Sequence, residues 1–214
     1  MPSPTPAAEV VAPRRHLPWC TLLLCAATAV MSVWVAIHVS GAWFGRVRVV
    51  DLEPWGLRFH QLRELELWRL VTAQLVHVKQ PHMLGDVFCL GLVGAAVERH
   101  LGGPRLFAIW LVGGAIAMLL STLTVPAPWN LGTGASQAVM AIAGAGLWLA
   151  FAGIDRSRFL LGAVAFAIAL AFAIDIVHVG YPKLGHVAGV MAGWLVTGAI
   201  VRANRHARGG RRHR

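Results

Sequence analysis

From residue 17 onward the chain alternates long apolar runs with short polar connections. The runs fall at about 18–39, 82–97, 106–125, 134–153, 159–177 and 184–201. Each approaches the roughly 20 residues that an α-helix needs to cross a bilayer. Gly102-Gly103-Pro104, Pro126-Ala-Pro128 and Tyr181-Pro182-Lys183 punctuate them with helix-stopping residues. The pattern predicts an all-α integral membrane protein with six spans. The first run is too long for a cleavable signal and no Ala-x-Ala site closes it, so it reads as an uncleaved first span.

Two stretches break the alternation. Residues 1–16 are proline-rich and read as a disordered segment. Residues 40–81 mix Leu62, Leu65, Trp68, Leu70 and Val71 with charges at near-helical spacing, which predicts a segment lying in the membrane interface. The organisation expected is therefore a disordered N-terminal segment over 1–16, a membrane domain over 17–201 and a basic tail over 202–214.

Composition agrees with the pattern: 57% of residues are hydrophobic and 13% charged, against about 25% charged in soluble domains. The net charge of +10 does not point to nucleic acid. Arg202, Arg205, Arg208, Arg211, Arg212 and Arg214 crowd the tail, with no aromatic residue among them to stack on bases. Placed at membrane edges, they orient spans and attract anionic lipid headgroups. The connections at 99–105 and 155–158 carry arginines, whereas 125–133 carries no charge. The positive-inside rule then puts both termini in the cytoplasm, as an even number of spans requires.

Cys20, Cys25 and Cys89 all lie in apolar runs and form no disulfide framework. His77, His82, Asp86 and His186 have metal-ligand chemistry, but no His-Glu-x-x-His occurs and no metal or other cofactor is expected. A transporter is disfavoured because the second half does not repeat the first.

Small residues mark which spans touch. Gly185, Gly189 and Gly193 recur every fourth residue in the sixth run, and Gly132, Gly134, Gly144 and Gly146 flank the fourth. Such spacing lets helix backbones approach closely in lipid. Ser136 and His186 each lie near the start of one of these two runs, at matched depth. A serine becomes a nucleophile when a base within hydrogen-bond reach takes its proton.

Gly134-Ala-Ser136 in the fourth run and Gly185-His186-Val-Ala-Gly189 in the sixth resemble the rhomboid family of intramembrane serine proteases. Trp68-Arg69, His77, His82, Gly94-x-x-x-Glu98, Leu101-Gly102 and Asp175 are similar to further family positions. The resemblance implies a six-helix rhomboid-like bundle in the cell membrane that cuts single-pass transmembrane proteins near the outer end of their helix. It implies a dyad of Ser136 and His186 without a third acid. Oxyanion donors would be the Ser136 N–H, His82 and the residue four positions on.

That residue is Asp86, where the family has asparagine. Either a neutral Asp86 donates, or Asp86 pairs with a protonated His82. Gln137 replaces the family's usual glycine and brings an amide that could donate toward an oxyanion. Met140 stands where the family often has a tyrosine stacked on the histidine. These departures leave open a second reading, a catalytically weak rhomboid-like protein that binds transmembrane helices.

Overall fold

The computed structural model describes residues 17–127, 130–181 and 183–212, with the backbone alone at 178, 179 and 204–212. The segment 1–16, Pro128, Trp129, Pro182 and the tail side chains from 204 on lie outside the described residues. Helix α1 spans Trp19–Ser40 and ends at Gly41, whose φ of 76° closes it in the left-handed conformation. Three short turns follow: a 3₁₀ turn at Val49–Leu52, α2 at Phe59–Arg63 and α3 at Arg69–Thr72. Helix α4 covers Gln80–Leu101. Helices α5 (Gly103–Ala108) and α6 (Gly114–Thr124) run on from each other through a π-helical turn at Ile109–Gly113. Helices α7 (Ser136–Phe151), α8 (Arg158–Val179) and α9 (Leu184–Arg212) complete the chain.

Among the described residues five segments are long and apolar enough to cross a membrane: Trp19–Ser40, Gln80–Leu101, Gly103–Thr124, Arg158–Val177 and Leu184–Ala203. The fourth apolar run differs from expectation. It forms only the 16-residue α7, which begins at Ser136 rather than at Gly134. At 1.5 Å per residue this helix is about 24 Å long, short of the ~30 Å hydrocarbon core. Irregular backbone at such depth is tolerated where protein covers it. Here Leu57 and Gly132 pair antiparallel through N–H to O bonds of 3.0 and 2.8 Å, and the Gly134 N–H donates to Ala73 O at 2.9 Å.

Those partners come from residues 41–79, which form a folded plug of short helical turns. Leu65, with φ of 62°, breaks the expected apolar stripe, leaving Leu65 and Trp68 exposed while Leu62, Leu70 and Val71 pack inward. Val47, Val49, Leu52 and Val76 form a core with Val35 and Ala36 of α1 and with Leu131. The buried Arg69 ties the plug together. It pairs with Glu66, donates to Glu53 O at 2.7 Å and Gly56 O at 2.8 Å, and sits 4.4 Å over the Trp68 ring. Charged residues prevented a purely hydrophobic pattern from showing this interior.

α7 lies at the centre, packed most extensively against α9. A Cβ on Gly193 would fall 1.7 Å from Ala141 O, and one on Gly144 would fall 2.1 Å from Val190 O. The two backbones are thus in direct contact, as the glycine spacing predicted. The π turn brings the two successive glycines of the third span inward: Gly113 faces Ala141, and Gly114 faces Gln74 and Ala138.

Glu98 explains the Gly94-x-x-x-Glu98 pattern. α1 has no side-chain cap of its own, and the Glu98 carboxylate accepts from the Cys20 N–H (3.0 Å), the Thr21 N–H (2.8 Å) and the Thr21 hydroxyl (2.7 Å). Gly94 admits Thr21, since a Cβ there would meet Thr21 Cγ2 at 2.7 Å. A carboxylate at a helix N-terminus satisfies orphan donors and complements the dipole. Glu98→Ala is expected to lower stability by about 2–4 kcal/mol, from one lost cap and buried charge-assisted bonds. Thermal unfolding in detergent reads this, with Glu98→Gln recovering part of the loss.

At the same end of α4, Asp155 gathers Arg99, His100 at 2.9 Å and the Ser157 N–H at 2.8 Å. Burial opposes its ionisation, but the Ser157 N–H, Arg99 and His100 outweigh that and hold the carboxyl below the usual range. The cluster fastens the α7–α8 connection to α4.

Candidate active site

The first turn of α7 and the first turn of α9 meet at one point. Ser136 Oγ lies 2.9 Å from His186 Nε2, and both residues are buried. The structure therefore brings together the two residues that the sequence singled out. The backbone N–H groups at the start of α7 are those that a helix leaves without internal partners. They form, with the helix dipole, a locally positive environment around Ser136.

A third group joins them. Asp175, fully buried in α8, places Oδ2 2.7 Å from His186 Nδ1. The same oxygen accepts the Lys183 N–H at 2.8 Å, and Lys183 Nζ is 3.5 Å from Oδ1. The expected pair of Ser136 and His186 thus has a carboxylate within hydrogen-bond distance of its imidazole. A signal was available in the sequence: Asp175 is the one carboxylate in an otherwise apolar run, and intramembrane ionisable residues are costly unless paired.

His82 lines the same cavity as Ser136 and His186, with its Nε2 3.5 Å from Asp86 Oδ2. Asp86 itself faces His77, whose Nε2 is 3.0 Å from Oδ2. The proton positions on His77 follow from its other partners. Ser32 Oγ donates to Leu75 O at 2.8 Å, so it accepts from His77 Nδ1, also at 2.8 Å. Nε2 is then an acceptor, and the Ala135 N–H points at it from 3.1 Å. His77 thus holds the backbone immediately before Ser136. Asp86→Asn keeps the size of the side chain that faces His77 and is expected to keep the fold, which thermal unfolding in detergent checks.

Gln137 is buried beside the serine, with Oε1 3.1 Å from Ser136 Oγ. The hydroxyl has one proton and two acceptors within reach, Gln137 Oε1 and His186 Nε2. Turning the amide over resolves the competition, because Nε2–H then donates to Oγ while the hydroxyl donates to His186. Met140 is fully buried one turn further along α7.

A cavity of about 240 Å³ opens at the serine. Val49, Val78, Val125, Leu131 and Ile174 give it apolar walls, and Lys79 and Lys183 also line it. Among the described residues no group of three or more histidine, cysteine or carboxylate side chains is disposed to hold a metal ion. A hydroxyl bonded to an imidazole beside a helix N-terminus is suited to attack on an acyl carbon.

Comparison with known proteins bears on the family of the chain. The Rhomboid domain profile matches residues 64–203. Rhomboid protease GluP of Bacillus subtilis (strain 168) is 31% identical over 140 residues, covering 63% of this chain and 26% of GluP. RHOMBOID-like protein 7 of Arabidopsis thaliana is 31% identical over 91 residues, 42% of this chain and 28% of that protein. RHOMBOID-like protein 1 of the same plant is 30% identical over 138 residues, 61% and 34% respectively. The matched stretch thus spans about a quarter to a third of these relatives. With its apolar helices and a domain match over more than half its length, the chain is a multi-pass membrane protein that belongs to the rhomboid family.

Proposed function

We propose that the chain is an intramembrane serine endopeptidase that cuts membrane-anchored proteins near the outer end of a transmembrane helix. The observation that carries this reading is the 2.9 Å contact between Ser136 Oγ and His186 Nε2 at the edge of the cavity. Ser136 Oγ attacks the substrate carbonyl carbon while its proton passes to His186 Nε2. His186 then gives that proton to the leaving amine nitrogen as the C–N bond breaks. Water hydrolyses the acyl-enzyme by the same route in reverse, and no cofactor takes part. The Ser136 N–H, His82 and Gln137 are the proposed oxyanion donors. Asp86, engaged with His77, supports the site from behind. In this reading α1, α4, α5–α6, α7, α8 and α9 make six spans in the cell membrane, with both termini cytoplasmic. The membrane domain covers 17–201 and the basic tail beyond it meets anionic lipid.

The test uses the full chain reconstituted in liposomes with a panel of single-span reporters and a fluorophosphonate probe. Wild type is expected to cleave a reporter and to take the label, and Ser136→Ala to do neither. A folded wild type that takes no label would favour the helix-binding reading.

A further inference from the structure

We propose that Asp175 is a positioning residue for the reaction: it fixes the tautomer and orientation of His186 and stabilises the imidazolium formed during turnover. This rests on the protease reading of the site.

Hydrogen-bond accounting supports it. A carboxylate oxygen only accepts, so at 2.7 Å from Asp175 Oδ2 the His186 Nδ1 carries the proton. The lone pair is then on Nε2, which faces the Ser136 hydroxyl at 2.9 Å. The tautomer needed in a general base is thereby the one present at rest. The carboxylate cannot swing away, because Oδ2 is also held by the Lys183 N–H and Oδ1 faces Lys183 Nζ.

Asp175 is also poorly placed for a residue that only stabilises α8. It sits in the last turn of that helix, where the dipole disfavours an anion, and it is fully buried. What offsets the cost are contacts in the turn leading to α9 and on α9 itself: Lys183 and His186. The carboxylate thus joins the end of one helix to the base on the next.

Asp175→Asn separates this role from a structural one. With its oxygen in the Oδ2 position, asparagine still accepts from both Lys183 N–H and His186 Nδ1–H, but brings no negative charge. Reporter cleavage in liposomes is expected to lose about 10²–10⁴ in kcat, by comparison with the loss on neutralising the acid of a soluble serine-protease triad. KM should stay within about twofold and the melting temperature should hold. Cleavage by Asp175→Asn within threefold of wild type, or a loss that merely tracks a lowered melting temperature, would overturn the proposal.

A second readout does not depend on turnover. In the inert Ser136→Ala background, proton NMR of ¹⁵N-histidine-labelled protein should show the His186 Nδ1–H in a strong hydrogen bond, and Asp175→Ala should abolish it. Absence of that signal in the Asp175 parent refutes the contact itself. Its presence in a chain that never cleaves or labels refutes the protease reading and, with it, any catalytic role for Asp175.

Discussion

His186→Ala is expected to lower kcat for a cleavable single-span reporter by about 10⁵–10⁶, no less than Ser136→Ala, and the double variant to lose nothing more. On the proposed reading the two side chains act as one unit. With the imidazole gone, the Ser136 hydroxyl keeps only Gln137 as neighbour, and a neutral amide cannot take its proton. In a soluble serine protease, removing either member alone costs about as much as removing the whole set. Additive losses in the double variant would mean that each residue acts separately and would defeat the dyad. Initial rates and probe labelling, measured on the four proteins at equal folded concentration, decide the matter.

The second large effect concerns stability. Gly193→Ala is expected to destabilise the protein by about 2–4 kcal/mol, at the upper end of overpacking costs, and Gly193→Leu to prevent folding. The added Cβ would lie 1.7 Å from Ala141 O and 2.5 Å from the carbonyl carbon, so no side-chain rearrangement can relieve it. α7 and α9 must separate, and Ser136 and His186 ride on those two helices. Activity should therefore fall even where the variant still folds. Gly162 in α8 supplies the control: nothing lies within 4 Å of a Cβ there, so Gly162→Ala should be neutral or stabilising by about 1 kcal/mol through helix propensity. Unfolding in detergent, followed by circular dichroism, distinguishes the two glycines. Equal effects would show that the α7–α9 contact is not what Gly193 provides.

These two cases show what the sequence made legible. Apolar runs need a minimum length to span lipid, so five of the six expected spans match long apolar helices among the described residues, while the fourth run forms the shorter α7. Backbones approach closely only where side chains are absent, so Gly144, Gly189 and Gly193 mark the α7–α9 pair in the sequence, whereas Gly185 faces Ser121 and Ala117 of α6. Ser136 and His186 followed, because each stands near the start of one of those runs. Other features depend on partners far along the chain and leave little local trace. Glu98 caps a helix 77 residues upstream, which no window of sequence displays. The plug over residues 41–79 hides its core among arginines and glutamates, since Arg69 is buried by bonding to backbone carbonyls rather than by being apolar. The late start of α7 was missed because Gly134 and Ala135 look helical in composition, while Gly134 has a φ of 102°. Asp175 was noticed as a position, but its partner depends on how α8 and α9 meet.

The 50-residue separation between Ser136 and His186 has a consequence for the making of the protein. Synthesis runs from the N-terminus, so the serine enters the membrane while the helix that bears its base has not yet been made. A nascent chain therefore carries a nucleophile with no means of activation among the insertion machinery and neighbouring nascent helices. On the proposed reading, hydrolytic competence arises only when the last helix docks, and a ribosome that stalls early releases an inert product.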